Sequence, residues 1–255
     1  MSFLRPDWLM RRPIAHRGLH DKSRAILENT KSAAEAAIVL DFGIECDVQL
    51  TADGEAVVFH DFTLDRLTEG RGSVDRYSVQ ELAAIPLKMG KDRIPTLPQL
   101  LELLAGRVPL TCEIKSRFDN DMRLVERVAA ILADYDGPVA IKSFDSDVIA
   151  HLRRNPQLLQ ARPRPLGIVS QARWDDEEWD EMSAERKHVM ENFLHWNETK
   201  PDFLSFWVQD IDTAVPYLLR NAVGLPVMSW TVRTPEQREK VARYADQMVF
   251  EGFVP

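Results

Sequence analysis

The chain has 255 residues, 45% hydrophobic and 28% charged, which excludes a largely disordered chain and leaves apolar material for a sizeable core. Its 40 acidic against 32 basic residues give a net charge of −8, and a pI near 5.3 argues against non-specific nucleic-acid binding, which needs a basic surface. A single domain over 1–255 is expected, because α/β barrels run to about 250 residues as one unit.

In chain order, 13–16 reads as a short strand. Glu28-Asn29-Thr30 caps an Ala-rich helix over 31–40 that stops at Gly43. A strand over 44–50, the turn Thr51-Ala52-Asp53-Gly54 and a strand over 56–60 form a hairpin. The pattern loosens over 61–95, with a loop-like Glu69-Gly70-Arg71-Gly72 and at most a short helix at 78–85, so the segment reads as an insertion. A helix over 97–104 follows, then strands at 108–114, 138–143, 165–170, 203–206, 227–232 and 247–250. Helices at 123–133, 146–154, 184–194, 213–221 and 235–244 separate most of them. This alternation predicts βαβ units, and about eight of them fit a closed (β/α)8 TIM-type barrel. An open doubly wound sheet is the second choice, without a dinucleotide fingerprint or Walker loop in its support.

Barrel chemistry sits at the C-terminal ends of strands. Those ends carry His16-Arg17, Glu45-Cys46-Asp47, His60-Asp61 and Glu113-Ile114-Lys115. Alternation along a strand turns Glu45 and Asp47 the same way, and likewise Glu113 and Lys115. If those faces line the barrel mouth, three carboxylates converge, and like charges gathered there call for a cation. All-oxygen ligands suit one hard divalent ion, Mg²⁺ or Ca²⁺; the competing reading leaves Glu45 and Asp47 solvated outside. Arg17 and Lys115 add positive charge suited to phosphate. His16 and His60 supply an acid and a base near neutral pH. His20, His151, His188 and His195 read as packing or surface groups. Cys46 and Cys112 fall on the opposite face as buried apolar groups, and no disulfide is expected. Trp207 and Trp230 lie near strand ends, where Trp230 is placed to meet the alcohol portion of a substrate or to pack in the core. The acidic, Trp-bearing stretch 171–200 reads as a solvated helix with aromatic anchors, or as a lid or subunit contact.

Residues 1–12 lack the apolar core of a signal peptide, and no run approaches the roughly 20 apolar residues of a membrane span. With only two cysteines, a cytoplasmic, non-membrane protein is expected.

Ile14-Ala15-His16-Arg17-Gly18, Glu28-Asn29-Thr30, Glu45-Cys46-Asp47-Val48, Val57-Val58-Phe59-His60-Asp61, Leu64-Asp65-Arg66-Leu67-Thr68 and Glu113-Ile114-Lys115 together resemble the glycerophosphodiester phosphodiesterase family. Ser143-Phe144-Asp145 and Trp230-Thr231-Val232 extend the likeness, which is dense from Pro13 to Lys115 and patchy beyond. The resemblance implies a barrel with a small insertion, at about 61–95, after its second strand. It implies metal-dependent hydrolysis of glycerophosphodiesters to glycerol 3-phosphate and an alcohol. On it, Glu45, Asp47 and Glu113 fall on metal ligands, His16 and His60 on the acid–base pair, and Arg17 and Lys115 on phosphate contacts. A lysophospholipase D-type phosphodiesterase and a non-catalytic phosphate-ester binding barrel are the alternatives. A small-molecule substrate, no nucleic-acid partner and a possible homo-oligomer complete the expectations. The last strand departs from the family's Thr-Asp-x-Pro-like ending, reading Val249-Phe250-Glu251-Gly252.

Overall fold

A computed structural model describes residues 7–255; residues 1–6, part of the stretch read above for a leader, lie outside the described residues. In chain order the structure forms β1 (Ile14–Ala15), α1 (Lys31–Val39), β2 (Gly43–Leu50), β3 (Ala56–Val58), α2 (Val79–Ala84), α3 (Leu97–Leu104), β4 (Leu110–Ile114) and α4 (Arg123–Ala133). It continues with β5 (Val139–Ser143), α5 (Ser146–Arg154), β6 (Leu166–Ser170), α6 (Ala184–Glu191), α7 (Trp196–Thr199), β7 (Phe203–Trp207), α8 (Ala214–Leu218), β8 (Val227–Val232), α9 (Pro235–Tyr244) and β9 (Gln247–Phe250). β1 pairs in parallel with both β2 and β9, and the remaining neighbours run β9-β8-β7-β6-β5-β4-β2. The result is a closed barrel of eight parallel strands with helices between them. β3 stands outside this ring as the antiparallel arm of a hairpin with β2.

Strand alternation divides the core into two layers. Ile14, Ala140, Phe203, Met228 and Val249 gather inside the barrel with Leu9, from the short turn Asp7–Met10. Their chain neighbours Ala15, Ile141, Leu204, Val227 and Phe250 belong instead to the core between strands and helices. Helix faces match: α3 buries Leu97, Leu100, Leu101 and Leu104, the spacing of one helical stripe. Cys46 and Cys112 lie opposite each other in the β2–β4 register, buried in that outer layer as free thiols.

Several boundaries differ from expectation. β1 ends at Ala15, because Arg17 takes a left-handed backbone (φ 57°). The chain can turn there because Gly18 (φ 79°) lies against α1, where a Cβ would come within 2.8 Å of the Ala33 Cβ. The strand expected to reach residue 60 ends at Val58. The helix expected over 184–194 breaks after Glu191, with α7 as a separate turn. The one expected over 213–221 closes as a π-turn, Leu219–Val223. The segment 61–95 is ordered around its own apolar cluster, which includes Leu64, Val74 and Leu82. Its α2 carries a Ser78–Glu81 capping box. No helix among the described residues is long and apolar enough to cross a membrane.

Candidate active site

Glu45 and Asp47 leave β2 on its inner face, and Glu113 leaves β4 directly opposite Asp47 in the parallel register. One carboxylate oxygen from each lies within 4.8 Å of the others, and all three residues are buried. β5 brings a fourth charged side chain that the sequence reading did not single out. Lys142 stands opposite Glu113 in register. Its Nζ donates to Glu113 Oε2 at 2.8 Å and lies 3.1 Å from Glu45 Oε1. Lys115 Nζ approaches Glu113 Oε1 at 3.4 Å.

Two imidazoles border this group. His60 Nδ1 bonds Asp61 Oδ1 at 2.8 Å, and its Nε2 lies 3.3 Å from Lys115 Nζ. His16 Nδ1 bonds Glu251 Oε2 at 2.7 Å, while its Nε2 stands 4.0 Å from Glu45 Oε2. In each case a carboxylate takes Nδ1 and leaves Nε2 on the side of the acidic group, which favours the Nδ1–H tautomer. Glu251 follows the last strand, at its atypical end, and Arg233 Nη2 donates to the same Oε2 at 3.0 Å.

Arg17 ties the rim together. Its backbone N–H donates to Glu45 Oε2 at 3.1 Å, its Nη1 to Glu28 Oε1 at 2.6 Å, and its Nε lies 3.3 Å from Asp47 Oδ2. Arg66, from the insertion, grips Glu28 at 2.7 Å and Asp61 at 2.6 Å. Asn29, left-handed at φ 57°, donates from Nδ2 to Asp47 Oδ2 at 2.9 Å. The triplet Glu28-Asn29-Thr30 therefore does more than cap α1. Thr30 accepts the Ala33 N–H as the cap, whereas Glu28 and Asn29 hold site residues.

Burial and charge act in opposition here. Burial pushes Glu45 up to about 7, aided by Asp47 and Glu113 and resisted by Lys142 and Arg17. Burial would also raise Asp47 and Glu113, but their neighbours outweigh it: His60, Arg17, Lys115 and the Asn29 hydrogen bond for Asp47, Lys142 and Lys115 for Glu113. Both end below the ordinary carboxylate range. Burial brings His16 down to about 4, against the raising influence of Glu251. Glu45 Oε1 is buried without a properly aligned hydrogen bond among the described residues. A converging all-oxygen set with such an atom fits a hard divalent ion, which Glu45, Asp47 and Glu113 would hold.

Beside Glu113 and Lys115 opens a cavity of about 470 Å³, walled by Phe62, Phe118, Phe144, Trp179 and Met182, with Arg117 and Arg186 at its edge. Trp174 and Trp179, in the acidic 171–200 stretch, are buried against Phe118 and Phe144. That stretch is thus anchored through aromatics over the mouth, with Arg186 paired to Asp145 and Asp147. Trp230 meets Phe144 edge-on at 5.3 Å and donates its indole N–H to Ser205 O. It does not itself line the cavity.

Sequence reading passed over Lys142, Glu251, Arg66, Asn29 and Glu28 as site residues. Lys142 had a usable signal: a lone cation in a buried strand, directly after the apolar run Val139-Ala140-Ile141. The other four depend on loops whose meeting no local pattern reveals.

Across residues 16–252 the chain matches the model of the glycerophosphoryl diester phosphodiesterase family. A glycerophosphodiester phosphodiesterase of Caldanaerobacter subterraneus subsp. tengcongensis is 38% identical over 142 residues, which cover 52% of this chain and 57% of that protein. Glycerophosphodiester phosphodiesterase 1 of Mus musculus is 24% identical, with 88% of this chain and 72% of the mouse protein covered. Among solved structures, an Oleispira antarctica phosphodiesterase in complex with the product sn-glycerol-3-phosphate superposes with a TM-score of 0.74 at 21% identity, covering 95% of this chain and 93% of that one. A glycerophosphodiester phosphodiesterase from Thermotoga maritima gives 0.68 at 24% identity, covering 94% of each chain. The chain belongs to the glycerophosphoryl diester phosphodiesterase family.

Proposed function

We propose that this chain hydrolyses glycerophosphodiesters to glycerol 3-phosphate and an alcohol, with His16 and His60 as its acid–base pair. The observation that carries the reading is the matched pair of imidazoles, each held at Nδ1 by a carboxylate and each offering Nε2 beside the acidic triad. One Nε2 takes the proton of the attacking hydroxyl, from water or from the substrate's own 2-hydroxyl. As the new phosphorus–oxygen bond forms, the bond to the alcohol breaks, and the other imidazole, which enters the step protonated on both nitrogens, delivers its Nε2 proton to the leaving oxygen. Attack by the 2-hydroxyl gives a cyclic phosphate that water then opens to glycerol 3-phosphate. Arg17 and Lys115 neutralise the phosphate oxygens. One divalent ion, Mg²⁺ or Ca²⁺, held by Glu45, Asp47 and Glu113, would add Lewis-acid polarisation of those oxygens. The aromatic cavity beside Lys115 receives the alcohol portion, with Trp230 backing its Phe144 wall. One domain over 1–255, cytoplasmic, acting on a small molecule and free to self-associate, completes the proposal.

The test is a panel of glycerophosphodiesters coupled to glycerol 3-phosphate detection, with each cation in turn. Release of glycerol 3-phosphate that chelation abolishes and excess Mg²⁺ or Ca²⁺ restores is expected. His16→Ala and His60→Ala should each cost roughly 10²–10⁴-fold in kcat. Parental rates in both variants would overturn the assignment. Tight binding of the esters without turnover would favour a binding barrel instead.

A further inference from the structure

The acidic triad already contains a positive charge. Lys142 is 2% exposed, and its ammonium touches two of the three carboxylates, Glu113 Oε2 at 2.8 Å and Glu45 Oε1 at 3.1 Å. It reaches them because β4 and β5 pair in register with Glu113 opposite Lys142, and alternation sends both side chains into the barrel. The remaining contacts are also cationic or donor in character. Lys115 Nζ stands on Glu113 Oε1 at 3.4 Å, the Arg17 N–H on Glu45 Oε2 at 3.1 Å, and Asn29 Nδ2 on Asp47 Oδ2 at 2.9 Å. With the Arg17 guanidinium Nε 3.3 Å from Asp47 Oδ2, three carboxylates thus face three side-chain cations, Lys142, Lys115 and Arg17.

A hard divalent ion sits about 2.0–2.6 Å from its carboxylate oxygens. An ion held by Glu45 and Glu113 would compete for Glu113 Oε2, which the Lys142 ammonium bonds, and for Glu45 Oε1, which lies 3.1 Å from that ammonium without an aligned hydrogen bond. In a buried site such like-charge proximity is poorly screened.

We propose that Lys142 is a resident counter-charge of the triad: it holds Glu45 and Glu113 together in the metal-free protein and competes with the divalent ion, so that the ion binds by displacing it and binds weakly. This rests on the reading of the triad as a cation site and is independent of which ester is cleaved. The opposite role, a framework lysine that orients the carboxylates for the ion, predicts the opposite sign.

Mn²⁺ serves as the probe, its binding followed by the loss of the free-ion electron paramagnetic resonance signal. Lys142→Met and Lys142→Gln are expected to bind Mn²⁺ at least about tenfold more tightly than the parent, while Lys142→Arg, which keeps the charge, binds no more tightly. Equal or weaker binding by both neutral variants overturns the proposal. Should those variants fail to fold without metal, the parent protein decides. Stripped parent is expected to melt within about 2 °C of its value in about 1 mM Mn²⁺, and a rise several times larger overturns the inference. Hydrolysis of the ester panel is scored separately on the same preparations, so loss of the phosphodiesterase reading leaves the binding result interpretable.

Discussion

At the scale of single residues, the candidate site is organised by carboxylates that hold its other side chains: Glu251 on His16, Asp61 on His60 and Glu28 on Arg17. Glu251 is the clearest case: burial works to raise it, but its bond to His16 and the nearby charges of His16, Arg233 and His20 bring it down to about 2. It therefore stays ionised and fixes the His16 ring. Glu251→Gln retains the shape yet loses the charge, and the amide can present its N–H to Nδ1 and so disturb the tautomer. The expected result is a fall in kcat of roughly 10–100-fold with KM little changed, by analogy with other carboxylates that orient functional histidines. Steady-state kinetics on one glycerophosphodiester checks it. A rise in KM with kcat intact would instead place Glu251 in substrate binding. Lys142 belongs to the same scale: an apolar strand carries one ammonium because two carboxylates receive it.

At the scale of elements, the short first strand matters most. β1 contributes only two residues, but the chain continues its path as His16 N–H donates to Phe250 O at 2.9 Å. It then turns through Arg17 and Gly18 onto α1. Gly18 combines a left-handed backbone with no room for a methyl group, so Gly18→Ala should destabilise the fold by more than about 1 kcal/mol. It should also displace Arg17 from Glu28 and Glu45. Urea denaturation measures the first effect, and a rise in KM for the phosphodiester measures the second. Unchanged values of both would show that the turn adapts. The insertion acts at this scale too. Its apolar cluster fixes a platform from which Arg66 reaches Glu28 and Asp61, joining it to the chemistry of the barrel mouth. That connection spans 38 residues between Glu28 and Arg66, too far for any periodicity to announce.

Over the whole molecule, stability should carry a signature remote from the site. His195 is buried, bonded at Nδ1 to Thr199 Oγ1 at 3.1 Å and packed 4.6 Å from the Phe193 ring. Burial lowers it to about 4, against a raising hydrogen bond from its own backbone. The unfolded chain takes up this proton below about 6.5, whereas the folded chain refuses it until about 4. Stability is therefore full above about pH 6.5 and declines as pH falls towards 4, by up to about 3 kcal/mol from this group. Urea titrations across that range should show a shallower decline in His195→Phe than in the parent. An identical slope would remove His195 as a source. Below about pH 4.5 Glu28 adds a further loss. Burial opposes its ionised form, but Arg66 and Arg17 hold it near 2, so its contribution disappears as it gains a proton towards that value.

How far the linear code carried can be judged from particular residues. Period-2 alternation places Glu45 and Asp47 on one face of β2 and turns Cys46 to the other, because a strand has only two faces. Recurring strands and helices likewise imply a closed barrel, since each apolar face needs a partner layer. Those readings depend on near neighbours in the chain. Lys142 inside the triad, Glu251 on His16 and Arg66 on Glu28 depend instead on strand register, barrel closure and loop packing. Closure sets Glu251 beside His16 across 235 positions of sequence. Such contacts arise because burial forces each charged group to find a partner in space, and it is the assembled barrel that determines which partner is within reach.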